Sequence, residues 1–191
     1  NKQWGATYNL TNSAQLTAKN LHLPASTSTP SGLVRGFEFD TATGANTKRI
    51  DAGGAFSTSL PNTAGQITQT TDQRGKQTDY EYTASADNLG GVGVTRITMP
   101  ANAAGVRATE EFKYDILGRV KWHKDVLGAV TETTYNEAGQ PLFTYKRRTA
   151  VSAIERTIEQ NYDAAGNLDY RIDARGLRTQ FAYDRANRLT T

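Results

Sequence analysis

The chain has 191 residues, of which 37% are hydrophobic, and 22 basic against 19 acidic residues give a net charge of +3. Because the charges are spread along the whole chain, no basic arm indicates a nucleic-acid-binding protein. The absence of cysteine excludes disulfides and thiolate metal sites, and no apolar run approaches the roughly 18 residues needed to span a bilayer.

The first part of the chain, residues 1–34, matches the later segments poorly, and we expect a divergent repeat or a connecting segment there. Within it, residues 24–32 are rich in Ser, Thr and Pro, a composition that favours a loop. The chain begins with Asn-Lys-Gln-Trp-Gly, without a Met or a signal-peptide pattern. We therefore expect it to be part of a longer protein.

From residue 35 to residue 191 the sequence repeats. A Gly followed by an Asp seven residues later, and by a second Gly three residues after that, occurs four times: Gly44–Asp51–Gly54, Gly65–Asp72–Gly75, Gly118–Asp125–Gly128 and Gly166–Asp173–Gly176. An aromatic residue follows three of these units, at Tyr82, Tyr135 and Tyr183. A Tyr-Asp pair precedes two of them, at Tyr114-Asp115 and Tyr162-Asp163. The spacing predicts tandem repeats of about 21 residues.

Turn chemistry explains the Asp and Gly positions of the repeat. An Asp side chain accepts hydrogen bonds from backbone N–H groups further along a turn, and Gly adopts positive φ at little cost. We therefore predict turns at Asp51–Gly54, Asp72–Gly75, Asp125–Gly128 and Asp173–Gly176. We also expect positive φ at most of four glycines, namely Gly118, Gly128, Gly166 and Gly176. Asn187 occupies the Gly slot of the last repeat, which fits because Asn tolerates this conformation.

The segments between the turns alternate with a period of two, which is typical of antiparallel strands. In residues 119–124, Val120 and Trp122 are expected to face one way and the basic residues the other. The aromatic residues of 78–82 alternate with acids, and paired aromatics recur two residues apart at Phe37/Phe39, Phe112/Tyr114 and Phe181/Tyr183. We predict an all-β fold of tandem antiparallel hairpins in an open, curved sheet. One face would be buried by cross-strand aromatic ladders and the other solvated.

The repeat is interrupted in three places. Six extra residues fall within 146–153 and eleven fall around 84–91, and both are expected to lengthen hairpin tips. Pro61 occupies a slot where the pattern has Tyr.

These motifs resemble the RHS/YD-repeat family, whose consensus is similar to Tyr-Asp-x-x-Gly-Arg-Leu with a following Asp-x-x-Gly. The best matches begin at Tyr114, Tyr162 and Tyr183 and lie within 110–191. The resemblance implies a β-ribbon that spirals into a hollow shell, as in bacterial toxin carriers, insecticidal toxin complexes and the related teneurins. In bacterial members the shell encloses a C-terminal toxin released by self-cleavage at an Asp-Pro motif. This chain has no Asp-Pro, so the cleavage site and the toxin are expected outside it.

The resemblance therefore implies a structural wall segment of a secreted or injected carrier. The expected partners are the rest of its shell, an enclosed toxin domain, and a secretion-system or toxin-complex component, with no nucleic acid and no membrane span. The alternative is a cell-surface or secreted module that binds glycan or protein through exposed aromatics. Exposure of Tyr80, Tyr82, Trp122 and Tyr183 would separate the two, because a sugar platform presents exposed rings and a wall packs them between strands.

No residue pattern calls for catalysis, a cofactor or a metal. His22 and His123 each lack a second His at ligand spacing, and we expect His123 on the wet face of its strand. Gly91-Val92-Gly93 lacks the third Gly and the helix of a dinucleotide site. Lys146-Arg147-Arg148 is expected to be a solvated tip, although it could contact phosphate or an acidic cargo.

The expected site residues are instead the structural signature of the repeat. They are Tyr114, Asp115, Gly118, Asp125, Gly128, Tyr135, Tyr162, Asp163, Gly166, Asp173, Gly176 and Tyr183.

Overall fold

The computed structural model describes residues 5–8, 24–28 and 34–190. Within these ranges the regular structure is β-strand, apart from a single 3-10 turn at Leu89–Gly91. The chain divides into two compact units, the first formed by Asn1–Glu81 with Ile97–Arg107 and the second by Tyr82–Arg96 with Ala108–Thr191.

The first unit contains seven strands, each paired antiparallel with the next one in the chain. They are β1 (Gly5–Tyr8), β2 (Pro24–Ser28), β3 (Val34–Phe39), β4 (Asn46–Ile50), β5 (Phe56–Pro61), β6 (Ile67–Thr71) and β7 (Gln77–Glu81). The short strand β8 (Arg96–Thr98) spans the point where the two units divide.

The second unit repeats this arrangement with seven further strands, again paired in chain order and antiparallel. They are β9 (Thr109–Tyr114), β10 (Val120–Lys124), β11 (Val130–Tyr135), β12 (Pro141–Arg147), β13 (Arg156–Tyr162), β14 (Leu168–Ile172) and β15 (Arg178–Gln180). Within each unit the order is linear and the sheet is open. The predicted all-β architecture of tandem antiparallel hairpins is thus confirmed.

The four predicted Asp-x-x-Gly turns are confirmed by their backbone hydrogen bonds. In Asp125–Gly128, for example, the N–H of Gly128 donates to the carbonyl of Asp125 at 2.9 Å, and the N–H of Asp125 donates to Ala129 at 2.9 Å. This is the pattern of a turn whose fourth residue has positive φ. The φ values of Gly118, Gly128, Gly166 and Gly176 are 78°, 86°, 85° and 82°, and Asn187, at 57°, replaces Gly as expected.

Three further turns of the same geometry begin with Asn in place of Asp and lie outside the predicted Asp-x-x-Gly pattern. They are Asn62–Gly65, Asn102–Gly105 and Asn136–Gly139. The side-chain Oδ1 of Asn62 accepts from the N–H groups of Ala64 and Gln66, at 3.0 Å each. Because an amide oxygen accepts as a carboxylate oxygen does, Asn and Asp are equivalent here.

A β-bulge follows every second turn, always at the third residue after the turn Gly. In the second unit the extra residue is Lys121, Leu142 or Asp169, and in the first unit it is Thr47 or Thr68. These turns follow an aromatic residue or Pro61, whereas pairing beside the Asp125–Gly128 and Asp173–Gly176 turns shows no register shift. A bulge strengthens twist and interrupts the ladder locally.

The prediction that one face of the sheet would be buried was wrong for the described residues. Only two side chains there are buried, Val130 at 1% exposure and Asn88 at 3%. Each unit is a sheet of hairpins whose two faces both remain half-buried or exposed, and Phe56 and Leu60 are more than half exposed. A single layer has no second layer against which to bury its apolar face, so alternation of side chains does not by itself produce a core.

The N-terminal part also differs from expectation, because residues 24–28 of the predicted loop form strand β2. Its backbone pairs with β1 on one side and with β3 on the other. Pro24 is the first residue of the strand, where a missing N–H costs no ladder bond. Apart from β1, β2 and the first residue of β3, the segment 1–34 predicted as a divergent repeat or connecting segment, including His22, lies outside the described residues.

The two insertions do lengthen hairpin ends. Residues 148–155 connect β12 to β13, closed by a 2.8 Å bond from the N–H of Glu155 to the carbonyl of Lys146. Arg148 is exposed at this tip and forms an ion pair with Glu155 at 3.3 Å. The second insertion occupies residues 82–95, between β7 and β8, and contains the 3-10 turn.

Two neighbouring glycines provide a test of the turn geometry. Gly54 has φ of +82° and Gly53 does not have positive φ, yet an added Cβ would meet nothing within 4 Å at either site. We expect Gly54→Ala to destabilise the chain by about 1–2 kcal/mol through backbone strain alone. Gly53→Ala, the matched control, should be neutral or slightly stabilising. Urea denaturation of both variants measures the difference, and equal stability would contradict the assigned turn.

Candidate binding surface

The turns that directly follow a tyrosine share one edge of the second unit, which we call the tyrosine edge. It comprises Asp115–Gly118, Asn136–Gly139, Asp163–Gly166 and Asp184–Asn187. Successive hairpins in a meander reverse direction, so alternate turns fall on the same edge. The signature residues predicted from the sequence are therefore divided between two edges, with the turns of Asp125 and Asp173 on the opposite one.

Tyrosines on this edge connect one repeat to the preceding one. The hydroxyl of Tyr135 donates to the carbonyl of Val120 at 2.8 Å, and that of Tyr162 donates to Pro141 at 3.0 Å. Both acceptors are the second residue after a turn Gly, immediately before the bulge residue. The bulge interrupts the ladder there, and the tyrosine of the next repeat satisfies the carbonyl. We call this hydrogen bond the tyrosine latch.

A second set of contacts along the same edge comes from the residue directly after the turn Gly. Arg119 donates to the carbonyl of Asn136 at 3.2 Å, and its guanidinium lies 4.6 Å from the ring centre of Tyr135. Gln140 donates to the carbonyl of Gly166 at 2.6 Å. Each turn is thereby hydrogen bonded to the next one along the edge.

At the start of the second unit, Tyr114 contacts the inserted segment at residues 82–95 instead of a bulge carbonyl. The hydroxyl of Tyr114 donates to the carbonyl of Val94 at 2.7 Å, within the inserted segment. The insertion folds around buried Asn88, whose amide donates to the carbonyls of Thr83 and Gly93 at 3.1 and 2.7 Å. Gly93 lies so close to the Tyr114 ring that a Cβ there would be 2.6 Å from it. The Gly-Val-Gly motif is thus a packing feature of this loop.

Backbone hydrogen bonds lower the pKa of the turn residues Asp163 and Asp173. The N–H groups of Asn167 and Leu177 are the main cause for Asp163 and Asp173 respectively, because each bonds the ionised carboxylate. The corresponding distances to Oδ1 are 2.8 and 3.0 Å. Hydrogen bonding to the charged form favours ionisation.

The faces of the second unit follow from its strand register, since directly paired residues share a face. One row across β9 to β12 contains Lys113, Trp122, Glu132 and Tyr145. The next rows on this face add Val130, Phe143, Tyr170 and Ile172. We call this the aromatic face. The other face mixes threonines such as Thr131 with charged residues such as Lys146 and Arg171, and Phe112 and His123 stack there at 4.7 Å.

The aromatic rings of this face contact charged groups. Lys113 Nζ lies 5.2 Å from the ring centre of Trp122, and the Arg178 guanidinium lies 3.9 Å from that of Tyr170. The Tyr170 hydroxyl donates to Glu159 at 2.8 Å, and this hydrogen bond is the main cause of the raised pKa of Tyr170. Phe143 and Tyr145 stack at 5.9 Å along one strand. The predicted cross-strand aromatic ladders are replaced here by contacts between cations and rings.

The expectation that the basic residues of β10 would face away from Trp122 was wrong for Lys121 and Lys124, whereas His123 does lie on the opposite face, paired with Phe112. Lys124 lies two residues beyond Trp122 and therefore shares its face. Its ammonium forms an ion pair with Glu111 at 2.7 Å. Lys121 is the bulge residue and also lines the aromatic face beside Trp122. His123 is half-buried against Phe112, and its Nε2 lies 3.4 Å from Glu110.

A groove of about 430 Å³ lies on the aromatic face, between the inserted segment and strands β9 to β12. Its walls include Asp87, Lys113, Lys121, Trp122, Glu132 and Tyr145. Lys121 Nζ lies 2.6 Å from Asp87 Oδ1, while Lys113 Nζ lies 3.7 Å from Oδ2. The hydrogen bond from Lys121 is the main reason that the pKa of Asp87 is lowered. Glu132 is paired with Arg147 at 3.3 Å.

The four rings singled out for their exposure are all half-buried, namely Tyr80, Tyr82, Trp122 and Tyr183. No group of three His, Asp or Glu side chains within the described ranges could hold a metal ion. Nor does that part of the chain contain a helix of the length and hydrophobicity needed to cross a membrane.

No family model matches the chain, and no curated protein sequence does. Several solved structures match it, each over 89% of this chain but only 13% of their own. Among them are the crystal structure of TcdB2-TccC3 without its hypervariable C-terminal region, at 12% identity and a TM-score of 0.40, and the Photorhabdus luminescens Tc holotoxin pore, at 14% and 0.43. A third is the crystal structure of TcdB2-TccC3-Cdc42, at 12% and 0.40. At this similarity, the matches do not assign the chain to a family.

The tyrosine latch can be tested by removing its hydroxyl groups. We expect Tyr135→Phe and Tyr162→Phe each to destabilise the chain by about 0.5–1.5 kcal/mol, because a bulge carbonyl loses its partner. Tyr145→Phe is the matched control, since its hydroxyl makes no hydrogen bond within the described ranges. Chemical denaturation measures the three variants. An equally large loss of stability in Tyr145→Phe would mean that the hydrogen bonds from Tyr135 and Tyr162 to the bulge carbonyls do not stabilise the chain.

Two turn aspartates, Asp163 and Asp173, predict how stability depends on pH. Their folded pKa lies below the unfolded value of about 3.9, so their contribution is complete above that pH and is lost as pH falls through the folded pKa. Because Asn serves in three native turns, Asp163→Asn and Asp173→Asn should preserve the fold. They should also reduce the difference in unfolding midpoint between pH 7 and pH 3. An unchanged difference would exclude these carboxylates as its source.

Proposed function

We propose that the chain is a wall segment of a hollow β-sheet shell, part of a larger exported toxin carrier of the RHS/YD-repeat type. The observation that supports this most directly is a repeating hairpin array with almost no core. Among the described residues, the only buried side chains are those of Val130 and Asn88. A domain that functions alone normally buries one face of its sheet, whereas a wall is completed by neighbouring repeats and by what lies on either side.

The contacts between repeats also suit a long wall. The tyrosine latch and the turn-to-turn hydrogen bonds join each repeat to the next, and their partners recur at fixed positions after the turn Gly. Such nearest-neighbour contacts can be extended indefinitely by adding repeats. In this proposal the partners are the rest of the shell and an enclosed toxin domain, together with a component of a secretion system or toxin complex.

The proposed role is structural, and it requires no catalytic residue. The polar groups that recur along the chain are engaged in turns and ion pairs. Asp163 and Asp173, for example, use their carboxylates to bind turn N–H groups. A second candidate function, a recognition module for glycan or protein, is favoured by the groove beside Trp122 and Tyr145. The two roles are compatible, since the outer surface of a wall can also bind a ligand.

Labelling of single cysteines can test the wall directly, because the chain has no native cysteine and any cysteine elsewhere in the full-length protein can be replaced. Thr134 lies on the aromatic face, paired with Phe143, and Thr179 lies on the other face, paired with Arg171. Both threonines are exposed in the chain alone. The experiment introduces Thr134→Cys or Thr179→Cys and measures reaction with a bulky maleimide.

In the isolated chain we expect both cysteines to react. In the full-length natural protein, one should be protected and the other reactive, because an enclosed wall exposes a single face to the medium. Matched measurements after denaturation confirm that each cysteine is intrinsically reactive. Equal reactivity of the two faces in the folded full-length protein would contradict an enclosing wall.

A further inference from the structure

We propose that the groove on the aromatic face binds an acidic saccharide, with a uronate-type sugar ring against Trp122 and its carboxylate paired with Lys113. This goes beyond the wall role, and it requires the aromatic face to be the one that remains reactive in the labelling experiment. The groove volume of about 430 Å³ falls in the range of about 300–1,000 Å³ typical of small-ligand sites.

The geometry of one cross-strand row supplies the walls of this site. Trp122, Glu132 and Tyr145 are directly paired on successive strands. Since neighbouring strands are about 4.8 Å apart, the two aromatic side chains begin about 9.6 Å apart, with the carboxylate between them. Flat apolar rings flanked by polar groups suit a sugar, which has an apolar C–H face and a rim of hydroxyl groups.

The charges of the groove favour an acidic ligand. Lys121 is tightly paired with Asp87 at 2.6 Å, and Glu132 is paired with Arg147 at 3.3 Å. Lys113 is the cation left in excess, since its ammonium is 3.7 Å from the same Asp87 carboxylate and its side chain is 50% exposed. It also lies over the Trp122 ring at 5.2 Å. A ligand carboxylate can draw this ammonium away and so open the indole face for stacking.

The backbone around the groove argues against an extended peptide as the occupant. Peptides that bind sheets usually add a strand at an edge, where unpaired N–H and C=O groups are available. Here the floor of the groove is formed by β10 and β11, and each is paired on both sides. Recognition must therefore occur through side chains, as it does for saccharides.

Tryptophan fluorescence of the 191-residue chain can test the proposal, with an oligogalacturonide as the probe. The chain has two tryptophans, so a Trp4→Phe background leaves Trp122 as the reporter. We expect the oligogalacturonide to change the emission of Trp122 with saturation, and the affinity to fall with added salt. The matching neutral galactose oligosaccharide should bind at least roughly tenfold more weakly, because it lacks the charge-assisted hydrogen bond.

Two lysine variants distinguish the groove from general positive charge. Lys113→Gln should weaken binding roughly tenfold, whereas Lys146→Gln, an exposed lysine paired with Thr131 on the other face, should leave it unchanged. Circular dichroism verifies that both variants keep the fold. The proposal is overturned by equal loss in the two variants, by equal binding of the neutral sugar, by no binding at millimolar probe, or by poly-glutamate binding in place of the oligogalacturonide.

Discussion

The stability of this structure must come from interactions other than a hydrophobic core. With only one apolar side chain fully buried in the described ranges, hydrophobic burial cannot dominate as it does in a layered domain. Cohesion must then come from ladder hydrogen bonds, from turns that fix the register, and from contacts between repeats. The tyrosine latch combines the last two, because it joins a side chain of one repeat to the backbone at the bulge of the repeat before it.

The latch also explains how the array tolerates insertions. Tyr162 reaches back 21 residues to Pro141, whereas Tyr135 reaches back 15 residues to Val120. The difference of six equals the length added between β12 and β13, since both acceptors occupy the same position relative to their turns. An insertion at a hairpin tip therefore lengthens the connection without moving the partners. Variation in loop length is inexpensive at such positions, because the closure entropy rises slowly with length.

Much of the fold could be predicted from the sequence because the turns have their own local chemistry. The Asp-x-x-Gly spacing was sufficient to predict turns and positive φ, including the substitution of Asn187. The Asn-initiated turns do not fit a pattern that requires Asp, although Asn136 followed by Gly139 is the same turn signal. The bulges could not be predicted, since they depend on pairing between strands. The prediction of a buried face was wrong for a related reason. Alternation of side chains indicates that a strand has two faces, but not whether another layer covers either of them.

The groove was also beyond the reach of sequence reasoning, yet it depends on the same bulge as the latch. In strict alternation, Lys121 would point away from Trp122, but as the bulge residue it lines the same face. The equivalent positions in other repeats are Thr47, Thr68, Leu142 and Asp169, none of which is a cation. Asp87, which pairs with Lys121, comes from an insertion outside the regular repeat pattern. Bulges recur along the chain, but a bulge contributes to a charged groove only at Lys121, where the bulge residue is a cation and Asp87 of the insertion pairs with it.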